Sequence, residues 1–103
     1  MRISGGSLRG RIVEAPKSSR THPMGERVRS GLFNTLGDIK GLTVLDALAG
    51  SGVLSFEAIS RGAAEATAID EDHQAQAAIK ANITALNLSE QVSLISTSAA
   101  AWL

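Results

Sequence analysis

Apolar and polar positions along the chain change their spacing several times, and each change marks a predicted element. Residues 1–16, MRISGGSLRGRIVEAP, contain two short strand-like pieces around glycines and end at a proline. Such a pattern predicts a β-hairpin or an extended basic ribbon. The next residues, KSSRTHP, show no periodicity, and we expect a loop there.

The segment ERVRSGLFNTLGDI predicts an amphipathic helix that ends at Gly37. Its start is weak because Gly25 stands where Ser, Thr or Asp would cap best. The apolar residues expected on its inner face are Val28, Leu32, Phe33 and Leu36. The polar residues expected elsewhere on the helix are Arg27, Arg29, Ser30 and Asn34.

From Leu42 onward, strands and helices alternate. LTVLDALAG predicts a fully buried strand of the parallel type over Leu42 to Leu45, followed by a helix over Val53 to Ser60. EATAID predicts a second strand, and QVSLIS predicts a third. The helix between them carries apolar side chains at helical spacing, which are Ala75, Ala78, Ile79, Ile83 and Leu86. The order β-α-β-α-β favours an α/β fold with a doubly wound parallel sheet.

Length and composition narrow the class of protein. A chain of 103 residues forms at most one small domain, and its apolar fraction of 44% is ordinary for a folded soluble protein. No apolar run is long enough to span a membrane, and none follows Met1 as in a signal peptide, so a cytoplasmic location is expected. The chain has no cysteine, and its two histidines make no metal site by themselves.

Charge is distributed unevenly although the net charge is zero. Residues 1–29 carry seven basic and two acidic side chains, a net +5, and the remaining residues carry three basic and eight acidic ones, a net −5. A basic arm on an acidic body is typical of nucleic-acid contact. Charge alone leaves an ordinary solvated surface equally open.

The segment DALAGSG, residues 46–52, is here named the glycine loop, and it predicts a ligand site. Gly50 and Gly52 permit backbone conformations closed to other residues and let a ligand lie against bare backbone. The N–H groups at the start of the next helix favour a carboxylate or phosphate. Asp70, at the end of the next strand, is placed to accept both hydroxyls of a ribose. Together these features indicate an adenosine-type cofactor.

Two common nucleotide motifs do not match. Ser55 stands where the dinucleotide fingerprint requires glycine, which disfavours a small NAD-binding domain, and no Gly-Lys-Ser or Gly-Lys-Thr of a P-loop occurs. An acid four residues before the first loop glycine suits a nucleoside that bears an amino acid. Its ammonium group can meet Asp46 or nearby carbonyls, so S-adenosyl-L-methionine is the predicted cofactor.

Four segments, MRISGGSLRGR, THPMGERVRSGLFNTLG, VLDALAGSGVLSFEAISRGA and AIDEDHQAQAAIKANI, together resemble the start of the RsmD family. These are bacterial 16S ribosomal RNA guanine-N2 methyltransferases. The resemblance implies a Rossmann-like class I S-adenosylmethionine-dependent methyltransferase fold, truncated after the third strand, with an amino-terminal β-hairpin or ribbon. Residues 1–24 would be the basic ribbon and its loop, and residues 25–103 the first half of the methyltransferase domain.

The resemblance also implies roles for particular residues. Asp70 is expected at the ribose and Glu71 at the adenine edge, and Ser98 stands where the family usually has an acid near the adenine amino group. The cofactor's methionine part would contact Asp46, Ala47, Leu48, Ala49, Gly50, Ser51 and Gly52. The partner would be 16S ribosomal RNA or the small ribosomal subunit, contacted by Arg2, Arg9, Arg11, Lys17 and Arg20.

Similar enzymes carry an Asn-Pro-Pro-Tyr type motif at the end of the fourth strand, where its amide and carbonyl groups hold the guanine amino group. That tetrapeptide does not occur in this sequence, so we assign no catalytic residue and expect the chain to be the cofactor-binding, amino-terminal portion of such an enzyme, inactive alone. A non-catalytic nucleoside-binding or RNA-binding fragment is the alternative. Without a fourth strand, TVLDA would form an open sheet edge through which chains can self-associate.

Overall fold

The computed structural model describes residues 1–16, 25–47 and 49–102. Within these ranges, short helices follow short strands in regular alternation. The elements are α1 (Glu26–Leu36), β1 (Thr43–Asp46), α2 (Val53–Ser60), β2 (Glu65–Ile69), α3 (His73–Leu86), β3 (Val92–Ile95) and α4 (Ala99–Trp102). The predicted order β-α-β-α-β from β1 to β3 is confirmed.

The three strands form one parallel sheet with β2 in the centre. Val44 pairs with Ala66, which pairs with Val92, so these three side chains lie in one row on one face of the sheet. Ala66 and Val92 are buried and Val44 is half-buried, because α2 and α3 pack on this face. The small side chains of β2 let the helices approach the sheet closely.

Helix α3 begins and ends at residues suited to those positions. Asp72 is its N-cap, and the Asp72 carboxylate accepts the Ala75 N–H at 3.0 Å. Asn87 follows the helix in the left-handed conformation, with φ 57°. The predicted inner face is confirmed, since Ala75, Ile79 and Leu86 are buried.

The first residues fold back on themselves as a short antiparallel ribbon, and residues 1–16 are called the ribbon below. The Val13 N–H donates to the Met1 carbonyl at 2.8 Å, and the Ile3 N–H donates to the Arg11 carbonyl at 3.0 Å. Ile3 and Val13 are fully buried in the same apolar cluster as Phe56. The ribbon thus packs on the α/β core. The predicted boundary at residue 24 lies outside the described residues and stays a prediction.

Four of the eight positions predicted for α1 are wrong, namely the apolar residues Val28, Leu32 and Leu36 and the polar residue Arg29. Phe33 is buried as expected, but Val28 is 64% exposed and Leu36 is 58% exposed. Arg29, expected on the outer side, is fully buried. Arg29 lies one turn before Phe33 on the same side of the helix, and its ion pair with the buried carboxylate of Glu57 allows it to be buried there. Leu32 and Leu36 line a groove beside the open edge of β1, where the described residues leave them exposed.

The prediction that the first strand is fully buried is also wrong. Leu42 is 52% exposed and Leu45 is 46% exposed, while Asp46 at the end of β1 is buried. Among the described strands, β1 pairs only with β2, so its other edge is open. A continuous apolar run is typical of a strand in a parallel sheet, which is why we expected burial. The run does not indicate whether the strand lies in the centre or at an edge of the sheet.

Candidate cofactor-binding site

The carboxyl ends of β1 and β2 lie side by side because the two strands are parallel neighbours. Asp46 is the last residue of β1 and pairs with Ala68, and Asp70 directly follows β2. The glycine loop leaves β1 at this edge, where the Ala49 N–H donates to the Ile69 carbonyl at 3.1 Å. The structure therefore brings together the two acids and the loop that the sequence singled out.

The loop conformation requires glycine at two positions. Gly50 has φ 55° and Gly52 has φ 80°, both in the left-handed region. A Cβ atom on Gly52 would lie 2.9 Å from Cε2 of the buried Phe56, so a side chain has no room there. The Gly52 N–H donates to the Ala49 carbonyl at 2.7 Å and closes the turn before α2. Gly52 thus serves packing against Phe56, and the bare backbone that would allow the close approach of a ligand is that of Gly50.

Asp70 connects the glycine loop to the end of β2. Its Oδ2 atom accepts the Gly50 N–H at 2.9 Å, and its Oδ1 atom accepts the Asp72 N–H at 2.9 Å. An ionised carboxylate has about four acceptor positions, so each oxygen keeps a further one. Because the side chain is only half-buried, it can position the loop and still accept hydroxyl donors from a ligand.

Asp46 is buried, and its carboxylate faces the first turn of α2. The Ser55 hydroxyl donates to Oδ2 at 3.1 Å, and the Ser55 backbone N–H donates to the same carboxyl group. Burial raises the pKa of Asp46 above its ordinary value, the two hydrogen bonds from Ser55 oppose this rise, and the charge of Asp70 adds to it. Ser55, which replaces the glycine of the dinucleotide fingerprint, thus holds Asp46 in place. A ligand ammonium group would find a favourable partner in this carboxylate.

The Ser51 side chain is buried beneath the loop. Its hydroxyl oxygen accepts the Val53 N–H at 3.3 Å, and the hydroxyl donates to the sulfur of Met1 at 3.8 Å. The side chain therefore satisfies one of the free N–H groups at the start of α2. Because the Ser51 hydroxyl is engaged in these hydrogen bonds, the predicted contact of Ser51 with the cofactor would be made by its backbone, and it stays a prediction.

The remaining predicted cofactor residues have different surroundings. Ala47 is half-buried, Ala49 is buried and Glu71 is exposed, whereas Leu48 lies outside the described residues. The Ser98 hydroxyl oxygen accepts the Ala101 N–H at 3.1 Å, so it is already engaged at the start of α4. A contact of Ser98 with adenine stays a prediction.

The basic residues predicted to bind RNA lie mostly on the ribbon. Arg2, Arg9 and Arg11 are exposed, and Nη2 of Arg11 donates to the Ala85 carbonyl at 3.2 Å. This contact holds one arginine of the ribbon near the end of α3. Lys17, Arg20 and the predicted KSSRTHP loop lie outside the described residues.

Glu57 is a structural residue that the sequence interpretation did not identify. It is fully buried in α2, and its carboxylate accepts Nε of Arg29 and Nε of Arg61, each at 2.9 Å. It also accepts the Ser4 N–H at 2.8 Å, the Ser4 hydroxyl at 2.9 Å and the Gly5 N–H at 3.0 Å. One carboxylate thereby joins the ribbon, α1 and α2.

The charge of Glu57 is maintained by these donors. Burial alone would raise the pKa of Glu57, but hydrogen bonds from the Ser4 backbone, Arg61, Arg29 and the Ser4 hydroxyl outweigh it, so the pKa is lowered. A signal was present in the sequence, since Glu57 is the one charged residue of the predicted helix Val53–Ser60 and stands four residues before Arg61. The partner Arg29 is distant in sequence and gave no such signal.

Asn82 is a second buried polar residue that was missed. It lies on the inner face of α3 together with Ala75, Ile79 and Leu86, and it is 2% exposed. Its side chain contacts the backbone of both Glu14 and Ser51. The helical spacing could have indicated a buried position, although it could not indicate the partners.

Metal-binding clusters and membrane-spanning helices are both absent from the described ranges. Within residues 1–16, 25–47 and 49–102, no group of three His, Cys, Asp or Glu side chains could hold a metal ion. None of the helices described there is both long and apolar enough to cross a membrane.

A parallel sheet with a glycine loop after its first strand and an acid at each of two adjacent strand ends defines a Rossmann-like fold of the class I methyltransferase type. A solved structure named "Putative methyltransferase yhhF from Escherichia coli" superposes with a TM-score of 0.88 at 36% identity, over 99% of this chain and 55% of that one. The Thermus thermophilus hypothetical protein TTHA0928 superposes with a TM-score of 0.79 at 30% identity, over 99% of this chain and 58% of that one.

The chain belongs to the family described as conserved hypothetical protein 95, whose model matches residues 1–103. Ribosomal RNA small subunit methyltransferase D of Escherichia coli K12 is 42% identical over 87 residues, covering 84% of this chain and 44% of that protein. The Haemophilus influenzae protein of the same name is 39% identical over 100 residues, covering 95% of this chain and 52% of that protein. The chain thus spans about half the length of these relatives, and the resemblance to the RsmD family is confirmed.

Proposed function

We propose that this chain is the S-adenosyl-L-methionine-binding half of a methyltransferase that modifies the N2 amino group of a guanine in 16S ribosomal RNA. The observation that carries the proposal is the convergence of Asp46, the glycine loop and Asp70 at one edge of the sheet. The names of the relatives, which are ribosomal RNA small subunit methyltransferases, supply the substrate class.

The residues at this edge suit the parts of the proposed cofactor. Asp46 offers a buried carboxylate to the ammonium group, and the bare backbone at Gly50 leaves room for the methionine part. Asp70 has free acceptor positions for the ribose hydroxyls, and Glu71 is exposed beside it for the adenine edge. When bound, the cofactor would supply an electrophilic methyl group on its sulfonium.

The ribbon is the proposed contact for RNA. Arg2, Arg9 and Arg11 are exposed on it, in the part of the chain that carries the net positive charge. Contacts between arginine side chains and phosphates carry no information about the base sequence. The ribbon would therefore position the substrate, and other contacts would select the guanine. A substrate on the small ribosomal subunit would also place the protein in the cytoplasm.

A protein substrate is the second candidate, because part of the chain is similar to a methyltransferase named for a ribosomal protein. Ribosomal protein L11 methyltransferase of Aliivibrio salmonicida is 46% identical over 57 residues, covering 55% of this chain and 19% of that protein. A cofactor-binding half serves RNA and protein acceptors alike, so this match does not choose between them. The family match over residues 1–103, ribbon included, favours ribosomal RNA.

The cofactor assignment is tested by calorimetry with S-adenosylhomocysteine and with NAD. We expect binding of the first and none of the second. Asp70→Ala should weaken S-adenosylhomocysteine binding by about ten- to a hundredfold, because charge-assisted hydrogen bonds contribute about 1.5–3 kcal/mol. Asp38→Ala removes a carboxylate that is exposed before β1 and serves as the matched control. Equal affinity of the Asp70→Ala protein and the parent would show that the ribose assignment is wrong.

The substrate assignment is tested by retention of labelled ligands on the immobilised chain. We expect 16S ribosomal RNA to be retained in a salt-dependent way, and ribosomal protein L11 not to be retained. Retention of L11 and not of RNA would replace the first candidate by the second.

A further inference from the structure

One buried side chain contacts both the ribbon and the glycine loop. Oδ1 of Asn82 accepts the Glu14 N–H at 2.9 Å. Nδ2 of Asn82 donates to the Glu14 carbonyl at 2.9 Å and to the Ser51 carbonyl at 3.1 Å. Both hydrogens of the amide nitrogen therefore have acceptors, which determines the orientation of the side chain.

A second contact joins the same two segments. The Ser51 hydroxyl donates to the sulfur of Met1 at 3.8 Å. Met1 is in turn paired with Val13, since its amino group donates to the Val13 carbonyl at 3.1 Å and its carbonyl accepts the Val13 N–H at 2.8 Å. Both ends of the ribbon therefore reach Ser51.

Beyond this contact the ribbon continues over the amino-terminal half of α3. Glu14 and Ala15 line a groove of about 220 Å³ together with Gln74, Ala77, Ala78 and Ala81. Helix α3 starts just after Asp70, so the ribbon leads toward the sheet edge that carries the glycine loop.

Because of the position of Ser51, its hydrogen bond with Asn82 can restrict the conformation of the glycine loop. Ser51 stands between Gly50 and Gly52, and glycine has the weakest intrinsic preference among backbone conformations. The shape of the loop therefore depends on contacts from outside it. Asn82 provides such a contact, and its amide is held by two hydrogen bonds with the backbone of Glu14.

We propose that Asn82 is a positioning residue through which the ribbon and the glycine loop order each other, so that RNA on the ribbon and S-adenosylmethionine at the loop strengthen each other's binding. This inference rests on the proposed function, which assigns the two ligands to the two segments. A ligand that orders one segment reduces the entropy cost of ordering the other, and the effect is reciprocal.

A pair of variants at Glu14 tests the contact without altering the loop or the arginines. Glu14→Pro removes the N–H that Asn82 accepts, while Glu14→Ala keeps it and changes only an exposed side chain. The affinity for a 16S ribosomal RNA transcript is measured by filter binding with and without saturating S-adenosylhomocysteine. We expect about a fivefold or greater gain in RNA affinity for the parent and Glu14→Ala. The gain should fall to near one for Glu14→Pro.

Hydrogen exchange on the parent chain tests the same coupling and does not depend on whether a variant folds. Hydrogen exchange of the Glu14 amide should slow on addition of S-adenosylhomocysteine, while the Arg9 amide, which donates to the Gly6 carbonyl in the ribbon turn, should not change. Independent binding of the two ligands, or an equal gain in Glu14→Pro, would overturn the coupling and leave the proposed function standing. A parent that binds neither ligand would overturn the proposed function and the coupling with it.

Discussion

Buried polar side chains decide how the ribbon, α1 and the glycine loop meet. Glu57 and Arg29 form an ion pair in which both side chains are fully buried, and Asn82 links two backbone segments. Such groups are stable only when their hydrogen bonds are complete, since removal of one partner of a buried pair costs about 3–5 kcal/mol. They therefore specify the arrangement more strictly than the apolar contacts around them.

Asp46 is expected to favour ligand binding at the expense of stability. Its pKa is raised by burial, so the folded chain binds this proton more tightly than the unfolded chain does. The contribution of Asp46 to stability is therefore fully present below its ordinary, unfolded-state pKa and is lost as the pH rises from there through the raised pKa of the folded chain. Asp46→Asn should therefore raise the unfolding temperature at neutral pH and weaken S-adenosylhomocysteine binding by about ten- to a hundredfold.

The measurements are thermal unfolding and calorimetry across the acidic range. In the parent, S-adenosylhomocysteine affinity should fall as the pH drops through the raised pKa of Asp46, and in Asp46→Asn this dependence should be absent. Glu65→Gln, at an exposed position of β2, is the control and should change neither property. A destabilised Asp46→Asn protein with parental affinity would contradict the assignment.

At the scale of elements, the ribbon turn is fitted to the end of α2. The Ser7 N–H donates to the Ser60 carbonyl at 2.8 Å, and the Leu8 N–H donates to the Ser60 hydroxyl oxygen at 2.8 Å. Gly6 lies against the same carbonyl, and a Cβ atom there would come within 1.9 Å of it. The ribbon turn is therefore packed tightly against the end of α2 and belongs to the same folded unit.

Two glycines of the ribbon separate the effect of packing from that of backbone strain. Gly6 and Gly10 have similar φ values of 80° and 86°, but no atom of the described residues lies within 4 Å of a Cβ atom at Gly10. Gly10→Ala should cost about 1–2 kcal/mol from strain alone. Gly6→Ala should cost clearly more, because the Ser60 carbonyl must also move. Urea unfolding of both variants provides the comparison, and equal losses would show that the ribbon is not tightly seated.

The ribbon should contact RNA through phosphates. Each phosphate contact contributes about −0.7 to the slope of log affinity against log salt on single strands. Replacing Arg9 and Arg11 by Gln together should therefore flatten the slope by more than about one unit. The control replaces Lys40 and Lys80 by Gln, which removes the same charge from exposed positions outside the ribbon. An unchanged slope in the Arg9 and Arg11 variant would leave the ribbon a structural feature.

At the scale of the whole molecule, exposed apolar side chains gather around the open edge of β1. Leu32, Leu36 and Leu45 line a groove of about 150 Å³ beside this edge, and Leu42 is exposed close to it in sequence. Unpaired N–H and carbonyl groups on such an edge, beside apolar surface, favour pairing with another chain.

The 103-residue chain is expected to self-associate through this edge and to show no methyl transfer to undermethylated small-subunit particles. Light scattering should report a mass above that of the monomer, and Leu45→Lys should lower it, because a charge on an edge strand opposes pairing. Ile12→Lys changes a similarly exposed residue in the ribbon and should have no effect. A clean monomer that transfers methyl groups would contradict both expectations.

Local features of the fold could be predicted from the sequence because they depend on nearby residues. Helix α2 over Val53–Ser60 and the end of β2 just before Asp70 agree with their predictions, since glycines and apolar runs mark such boundaries. The burial of individual side chains on α1 could not be predicted in this way. We expected Leu36 on the inner face and the charged Arg29 elsewhere, whereas the structure exposes Leu36 and buries Arg29.

The sequence by itself determined the class of fold and the place of the candidate site, because strand ends and glycine turns follow from local spacing and from the rules of parallel sheets. Only the tertiary structure decided the contacts of Glu57 and Asn82, whose partners Arg29 and Glu14 lie 28 and 68 residues away. It also decided that β1 lies at an edge of the described sheet. The physical reason is that buried polar groups are satisfied by whichever donors the fold brings near, and chain spacing does not reveal which these are.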